Sequence, residues 1–288
     1  MSKIHKLIQE HKIFLSCGVW DALSARIAEK AGFQGVVVSG YAVAASYLAE
    51  PDLGILTQTE ILEVARRVCQ AVKISVIVDG DTGYGGVLNV QRMVKELIRM
   101  GAKGILLEDQ TFPKRCGHLA GKSVVSAEEQ IAKIRAAKEA KGDAGFAIIA
   151  RTDALEPLGI EEAIRRGRLY KEAGASLIFV EAPRSREELL RIASEVPGPL
   201  VVNVIEGGRT PVLELEEYQN LGFLSVGYVL TGLFASAKAI QEAYSELLQK
   251  GTSKGIQDQL MSFSEFTNLL GLSEKLSRDE KYQYRDRD

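Results

Sequence analysis

Short runs of β-branched and aliphatic residues recur along the chain, separated by longer stretches whose apolar positions fall at helical spacing. Residues 13–17, 35–39, 74–79, 104–108, 146–151, 177–181, 200–203 and 223–228 are the runs that predict strands. Most are apolar at successive positions rather than alternate ones, as parallel strands covered on both faces should be. Between them, residues 88–100, 126–141, 159–173 and 185–195 predict helices with Gly or Pro near their ends, and Ser126 with Glu129 predicts a capping box. Strand then helix, repeated around eight strands, predicts an α/β fold and, within it, a (β/α)8 barrel. An open doubly wound sheet has the same periodicity, because closure leaves no mark in the pattern. Past about residue 250 the chain turns polar and charged, so we expect a barrel catalytic domain over 1–250 and a C-terminal helical extension with a loose tail over 251–288.

Composition bounds the partners. A length of 288 residues accommodates one barrel and a tail. A formal net charge of -2 gives no electrostatic case for nucleic acid or a membrane surface. Cys17, Cys69 and Cys116 are too few for a disulfide framework, and Cys17 and Cys69 lie in apolar segments where small buried hydrophobes are expected. The N-terminal Met1-Ser2-Lys3-Ile4-His5-Lys6 leads into a charged amphipathic stretch without a signal-type apolar core, and no run reaches membrane-spanning length. A soluble, cytoplasmic protein acting on a small molecule is the resulting expectation.

Two segments carry candidate chemistry. In the first, an apolar strand ends in Asp79-Gly80-Asp81-Thr82-Gly83. If the strand continues through Asp81, both carboxylates point the same way, and their repulsion calls for a cation or a proton between them. Hard oxygen ligands suit Mg2+ or Mn2+. A solvated Asp-Gly-Asp turn is the plainer alternative. In the second, the run ending at Glu108 is followed by Lys114-Arg115-Cys116-Gly117-His118. Positive neighbours should lower the Cys116 pKa and make it a proton donor or nucleophile near neutral pH. Here the alternative is a surface loop with an incidental cysteine.

Ser39, Asp79, Asp81, Glu108, Arg151, Glu181 and Asn203 all fall at or just past the carboxyl ends of their predicted strands. In a barrel those ends converge on one mouth, where active sites of this fold are found. Asp79, Asp81 and Glu108 would form a metal-sized acidic cluster. Arg151 and the amides near Ser39-Gly40 suit a substrate carboxylate. Competing readings are an Arg151–Asp153 salt bridge, an ordinary turn at Ser39-Gly40, and structural hydrogen bonding by Glu181 and Asn203.

These residues resemble the isocitrate lyase and phosphoenolpyruvate mutase superfamily. The resemblance runs from Trp20-Asp21-Ala22 through Ser39-Gly40, Asp79 to Gly83, the cysteine loop, Ala150 to Ala154 and Val180 to Pro183, as far as Asn203. It implies a barrel whose last helix is exchanged with a neighbouring subunit, commonly in a homotetramer. It also implies Mg2+ at Asp79, Asp81 and Glu108. Substrate contacts would come from Ser39, Gly40, Tyr41, Asp79, Gly117, Arg151, Glu181 and Asn203, with Cys116, Arg151 and His118 catalytic.

The intact cysteine segment resembles the carbon–carbon lyases rather than the phosphonopyruvate mutases and hydrolases. Chain length without large insertions speaks against isocitrate lyase itself. Phe112-Pro113 and the stretch from Asn203 to Pro211 look closer to the petal death protein and dimethylmalate lyase group than to methylisocitrate lyase. Methylisocitrate lyases are expected to carry an arginine within the segment matching 233–238; this chain has none, although Lys238 could partly substitute. The expected reaction is therefore Mg2+-dependent cleavage of a 2-alkylmalate to a 2-oxo acid and a carboxylate, with Cys116 protonating the leaving enolate. Methylisocitrate lyase, phosphonopyruvate or carboxyphosphonoenolpyruvate mutase, oxaloacetate decarboxylase and a non-catalytic dicarboxylate-binding barrel remain alternatives.

Overall fold

A computed structural model describes residues 13–282. Eight parallel strands close into a barrel in the order β1 to β8: β1 Phe14–Val19, β2 Gly35–Val38, β3 Ser75–Asp79, β4 Gly104–Glu108, β5 Ala147–Thr152, β6 Leu177–Val180, β7 Leu200–Val204 and β8 Phe223–Tyr228. Closure is made where Phe14 to Cys17 pair with Ser225 to Tyr228. All eight predicted strands form, with ends shifted by two residues or fewer. The open-sheet alternative falls away because β1 and β8 pair with each other.

Besides shorter turns of helix, a main helix follows each of β1 to β7: α1 Ala22–Ala31, α2 Gln58–Ala71, α3 Val87–Met100, α4 Ala127–Lys141, α5 Ile160–Ala173, α6 Arg186–Glu195 and α7 Leu215–Leu221. The expected helices appear as α3 to α6. Ser126 caps α4 by accepting from the Glu129 N–H, one half of the expected box. Gly101 ends α3 at φ 93, a left-handed position that suits glycine.

Strand parity sorts the core into two shells. Val36, Val38, Ile105, Leu107, Ile148, Ala150, Ile178 and Val202 face the helices. Their neighbours Val37, Ile77, Leu106, Ile149, Phe179 and Val201 fill the barrel. Two residues beyond each inward residue lies Ser39, Asp79, Glu108, Arg151, Glu181 or Asn203. The alternation that packs the interior thus also aims these polar groups at the mouth.

The chain divides into two compact units, with the boundary between Leu233 and Phe234 inside α8, Thr231–Lys250. The second unit continues through α9, Phe263–Leu269, and α10, Leu272–Tyr282. Neither α8 nor α10 contains a buried residue. No helix among the described residues is long and apolar enough to cross a membrane. The amphipathic N-terminal stretch and the charged tail from residue 283 lie outside the described residues.

Ile148 is fully buried on β5, in the shell that faces the helices. Ile148→Ala is expected to cost about 2–5 kcal/mol, from lost burial and the cavity left behind. Urea unfolding of both proteins at equal concentration measures it.

Candidate active site

β3 stops at Asp79, so the expectation that the strand itself carries Asp81 alongside is not met. Asp81 instead sits in a turn at φ 45, and its backbone N–H donates to Asp79 Oδ1 at 3.1 Å. The two carboxylates are brought together by the turn rather than by strand parity. Asp79 Oδ2 accepts from the Gly40 amide at 3.3 Å, so that amide, expected to face substrate, is engaged with the acidic pair. Ser39 Oγ caps the short turn Gly40–Val43 by accepting from the Ala42 N–H. Tyr84 donates its hydroxyl to Asp81 Oδ2 at 2.7 Å.

Lys114 enters this cluster from the cysteine loop. Its ammonium lies 2.7 Å from Asp81 Oδ1 and 2.6 Å from Asp52 Oδ1, with all three side chains buried. Burial works against the charge on Lys114, but Asp81 and Asp52 outweigh it and hold the ammonium firmly protonated. Asp79 is pushed up to about 6 by burial and by the neighbouring Asp81 charge. Burial also raises Glu108 well above the ordinary carboxylate range, against the pull of Arg151 and Lys114.

At the end of β5, Arg151 makes a two-bonded fork with Asp153, at 2.8 and 3.0 Å. The same guanidinium lies 3.3 Å from Glu108 Oε2 and 3.1 Å from Glu181 Oε2. Burial opposes its charge, and Asp153, Glu181 and Glu108 restore it. Glu181 is brought down to about 2, because Arg151 and His118 overcome its burial. The Arg151–Asp153 salt bridge read from sequence is therefore real, and it does not prevent Arg151 from facing the mouth.

Cys116 behaves otherwise than its sequence neighbours imply. Lys114 is turned toward Asp52 and Asp81, and the Arg115 guanidinium instead donates to the Ala120 carbonyl. Burial dominates and pushes the Cys116 thiol up to about 11. It is a protonated thiol at neutral pH and not an activated thiolate. Its backbone N–H donates to the Asp52 carbonyl at 3.0 Å. Gly117 packs so tightly that an added Cβ would lie 2.4 Å from both Arg151 Nη2 and Glu181 Cγ.

His118 Nδ1 accepts from the Arg209 N–H at 2.9 Å. That bond assigns the ring proton to Nε2, which lies 3.1 Å from Glu181 Oε1 without hydrogen-bond alignment. His118 thus joins the loop to the segment after β7. A cavity at the mouth brings together Ser39, Tyr41, Asp79, Cys116, Arg151 and Asn203. Its other wall is apolar, from Ile205, Val229 and Leu230.

The cation-binding expectation meets a mixed picture. Among the described residues no three His, Cys, Asp or Glu side chains converge as a ready-made cage. Both Glu108 carboxylate oxygens are nevertheless buried without an aligned hydrogen bond, and Asp81 Oδ1 is met only by the Lys114 ammonium, at 2.7 Å. Such oxygens fit a hard divalent cation held by few protein ligands and several waters.

Sequence reading missed Asp52 and Lys122, and it misplaced the role of Lys114. Asp52 lies in the irregular Pro51-Asp52-Leu53-Gly54 segment, where no strand pattern singles it out. Lys122 follows a glycine in the loop, where no periodicity marks it, and it is buried. Cys17 and Cys69, expected to be buried, are half-buried. Lys238, the proposed stand-in for an arginine, is 70% exposed and pairs with Glu242.

A closed barrel with an acidic cluster, an arginine fork and a protonated thiol at its carboxyl-end mouth defines an enzyme built for anionic substrates. The chain belongs to the phosphoenolpyruvate mutase and isocitrate lyase superfamily: the phosphoenolpyruvate phosphomutase family model matches residues 4–248. It is 49% identical over 281 residues to the petal death protein of Dianthus caryophyllus, covering 97% of this chain and 88% of that protein. It is 40% identical over 283 residues to 2,3-dimethylmalate lyase of Eubacterium barkeri, covering 98% and 97%. Among solved structures, oxaloacetate acetylhydrolase with 3,3-difluorooxalacetate superposes with a TM-score of 0.92 at 35% identity, covering 99% of this chain and 97% of that one.

The raised pKa of Asp79 sets a pH dependence. Folded Asp79 keeps its proton up to about pH 6, whereas the ordinary value is 3.8. Its contribution to stability is present below that ordinary value and is lost as pH rises through about 6. A divalent cation that pairs with the ionised form should reverse the loss. Thermal melts with Mg2+ or chelator are expected to coincide at pH 5 and to separate at pH 7.5, by about 2.7 kcal/mol when free Mg2+ is a hundred times Kd. Asp81→Ala should remove the separation. Identical melts with Mg2+ and with chelator at every pH would contradict the metal assignment.

Proposed function

We propose that this carbon–carbon lyase cleaves a 2-alkylmalate, such as 2-methylmalate or 2,3-dimethylmalate, to a 2-oxo acid such as pyruvate plus a carboxylate. The observation that carries the reading is Cys116, a protonated thiol buried in the cavity beside the arginine fork. A general acid must hold its proton until the carbanion forms, and a thiol at about 11 does so at neutral pH. The apolar wall of Ile205, Val229 and Leu230 fits an alkyl substituent, and it offers nothing to a third carboxylate. Similarity to 2,3-dimethylmalate lyase points the same way.

Asp81, with Asp79 and Glu108 directly or through water, would hold Mg2+ or Mn2+, which as a Lewis acid lowers the pKa of a chelated 2-hydroxyl. Arg151 faces the charge that develops on the departing carboxylate enolate, and Glu108, Asp153 and Glu181 fix its position. Cys116 delivers its proton to the enolate carbon. Gly117 and His118, packed onto Arg151, Glu181 and Arg209, keep the loop seated and water away from that carbon. Tyr41 and Asn203 line the same cavity.

For assembly, we read the exposed apolar side chains of the C-terminal unit, Leu248 at 89% and Phe263 at 85% among them, as fitting the helix exchange of a homotetramer. A cytoplasmic setting accords with three cysteines that are all unpaired. Oxaloacetate is the one rival substrate that a specific observation favours, through the likeness to oxaloacetate acetylhydrolase.

The deciding experiment incubates the purified protein and Mg2+ with 2-alkylmalates, methylisocitrate, oxaloacetate and phosphonopyruvate, following 2-oxo acid, oxalate and phosphate. The highest kcat/KM is expected for a 2-alkylmalate. A preference for methylisocitrate of about tenfold, equivalent to roughly 1.4 kcal/mol in transition-state binding, would overturn the assignment. Oxalate release from oxaloacetate as the fastest reaction would overturn it in favour of the rival.

On the best substrate, Cys116→Ser should retain the fold and metal-dependent stabilisation while kcat falls about 100-fold to 10,000-fold, since a hydroxyl is the far weaker acid. Near wild-type kcat in that variant would exclude the thiol as proton donor.

A further inference from the structure

Lys122 lies four residues beyond His118, outside the segment that carries the chemistry, and its side chain is completely buried. A buried ammonium is costly unless every donor finds an acceptor. Here Lys122 Nζ donates to the Gly117 carbonyl and lies 3.2 Å from Asp153 Oδ1. That oxygen is the same one that accepts from Arg151 Nη2 at 3.0 Å. The Lys122 backbone is itself held: Glu156 accepts from the amides of Gly121 and Lys122, each at 3.3 Å.

Asp153 is fixed in turn from behind. Its N–H donates to Asp109 Oδ1 at 2.8 Å, and Asp109 Oδ2 accepts from Thr152, Arg166 and Tyr170 at 2.7, 2.9 and 2.7 Å. A rigid point on the barrel therefore reaches, through a single buried ammonium, the carbonyl of Gly117, the residue after Cys116. The other loop anchors, Lys114 and His118, grip Asp52, Asp81 and Arg209, and none of them touches the arginine fork's own carboxylate.

We propose that Lys122 is a positioning residue that latches the Gly117-His118 peptide, one residue beyond Cys116, onto the Arg151–Asp153 fork, so that one carboxylate sets both the acid and the group facing the enolate. The latch is a statement about where Cys116 sits. Only its effect on turnover rests on the lyase reading.

Lys122→Met removes donor and charge at similar length, whereas Lys122→Gln keeps a donor for the Gly117 carbonyl. The readout is the rate of iodoacetamide alkylation at fixed pH, followed at each cysteine by peptide mass spectrometry, with Cys17 and Cys69 as internal references. Losing a cation disfavours the thiolate, so electrostatics alone would slow Cys116. Release of the latch is expected to speed it about tenfold or more in Lys122→Met, the size of a lost charged hydrogen bond, with a smaller gain in Lys122→Gln. Cys17 and Cys69 should keep their wild-type rates, and on a turned-over substrate kcat should fall with KM little changed.

An unchanged Cys116 rate in a folded Lys122→Met overturns the proposal, as does equal acceleration at all three cysteines, which is general loosening. If Lys122→Met does not fold, Lys122→Gln decides by the same criterion, and failure of both to fold overturns a positioning role. The alkylation pattern together with inactivity on every 2-alkylmalate would overturn the substrate reading and leave the latch standing.

Discussion

The fork between Arg151 and Asp153 is the interaction on which the rest of the site depends. Arg151 is the meeting point of three carboxylates, since its guanidinium also lies within 3.3 Å of Glu108 and 3.1 Å of Glu181. A guanidinium can serve several acceptors at once because its donors are fixed in a plane. Removing either half of the fork would leave a buried charge alone, which is far more damaging than losing a surface pair. Buried ion pairs seldom repay their desolvation in stability. Six hydrogen-bonded or ion-paired buried groups around Asp109, Asp153 and Arg151 are therefore best explained by what they hold in place: the geometry of the mouth.

The same electrostatic arrangement decides what kind of chemistry Cys116 can perform. Had Lys114 faced the thiol, its charge would have favoured the thiolate and a nucleophilic role. With Lys114 neutralised between Asp52 and Asp81, burial prevails and the thiol keeps its proton. A nucleophile needs a depressed pKa, and a proton donor to a carbanion needs only a pKa below that of the carbon acid it creates. The cavity thus separates its functions by environment: an acidic end that takes up the loop's ammonium, and a thiol end kept neutral.

Much of this was legible in the sequence, for a physical reason. Strand parity is strict, so once the apolar runs were placed, Ser39, Asp79, Glu108, Arg151, Glu181 and Asn203 had to converge on one mouth. Loops obey no such periodicity. Asp81 is placed by a turn at positive φ, Asp52 by an irregular segment, and Lys122 by a fold of the chain back over Gly117. Reading Lys114 as an activator of Cys116 failed because adjacency in sequence does not fix direction, and a lysine side chain goes to the strongest nearby anions. Those anions come from β3 and from the segment before α2, far away along the chain.

The apolar wall bears on which substituent the proposed substrate carries. Ile205 follows β7, while Val229 and Leu230 follow β8. By barrel order β8 is three strands from both β3 and β5, so Val229 and Leu230 follow a strand across the mouth from Asp79 and Arg151, while β7 pairs with β6 and β8. In the proposed reading, a substrate whose carboxylates engage the β3 to β6 side presents its remaining substituent to these side chains. Packed against these three side chains a carboxylate would lose hydration without a charged partner, a cost of several kcal/mol, whereas a methyl or ethyl group gains about 0.8 kcal/mol per buried methylene. The discrimination between an alkyl group and a third carboxylate is then set mainly by the penalty against the wrong substituent, and only slightly by attraction for the right one.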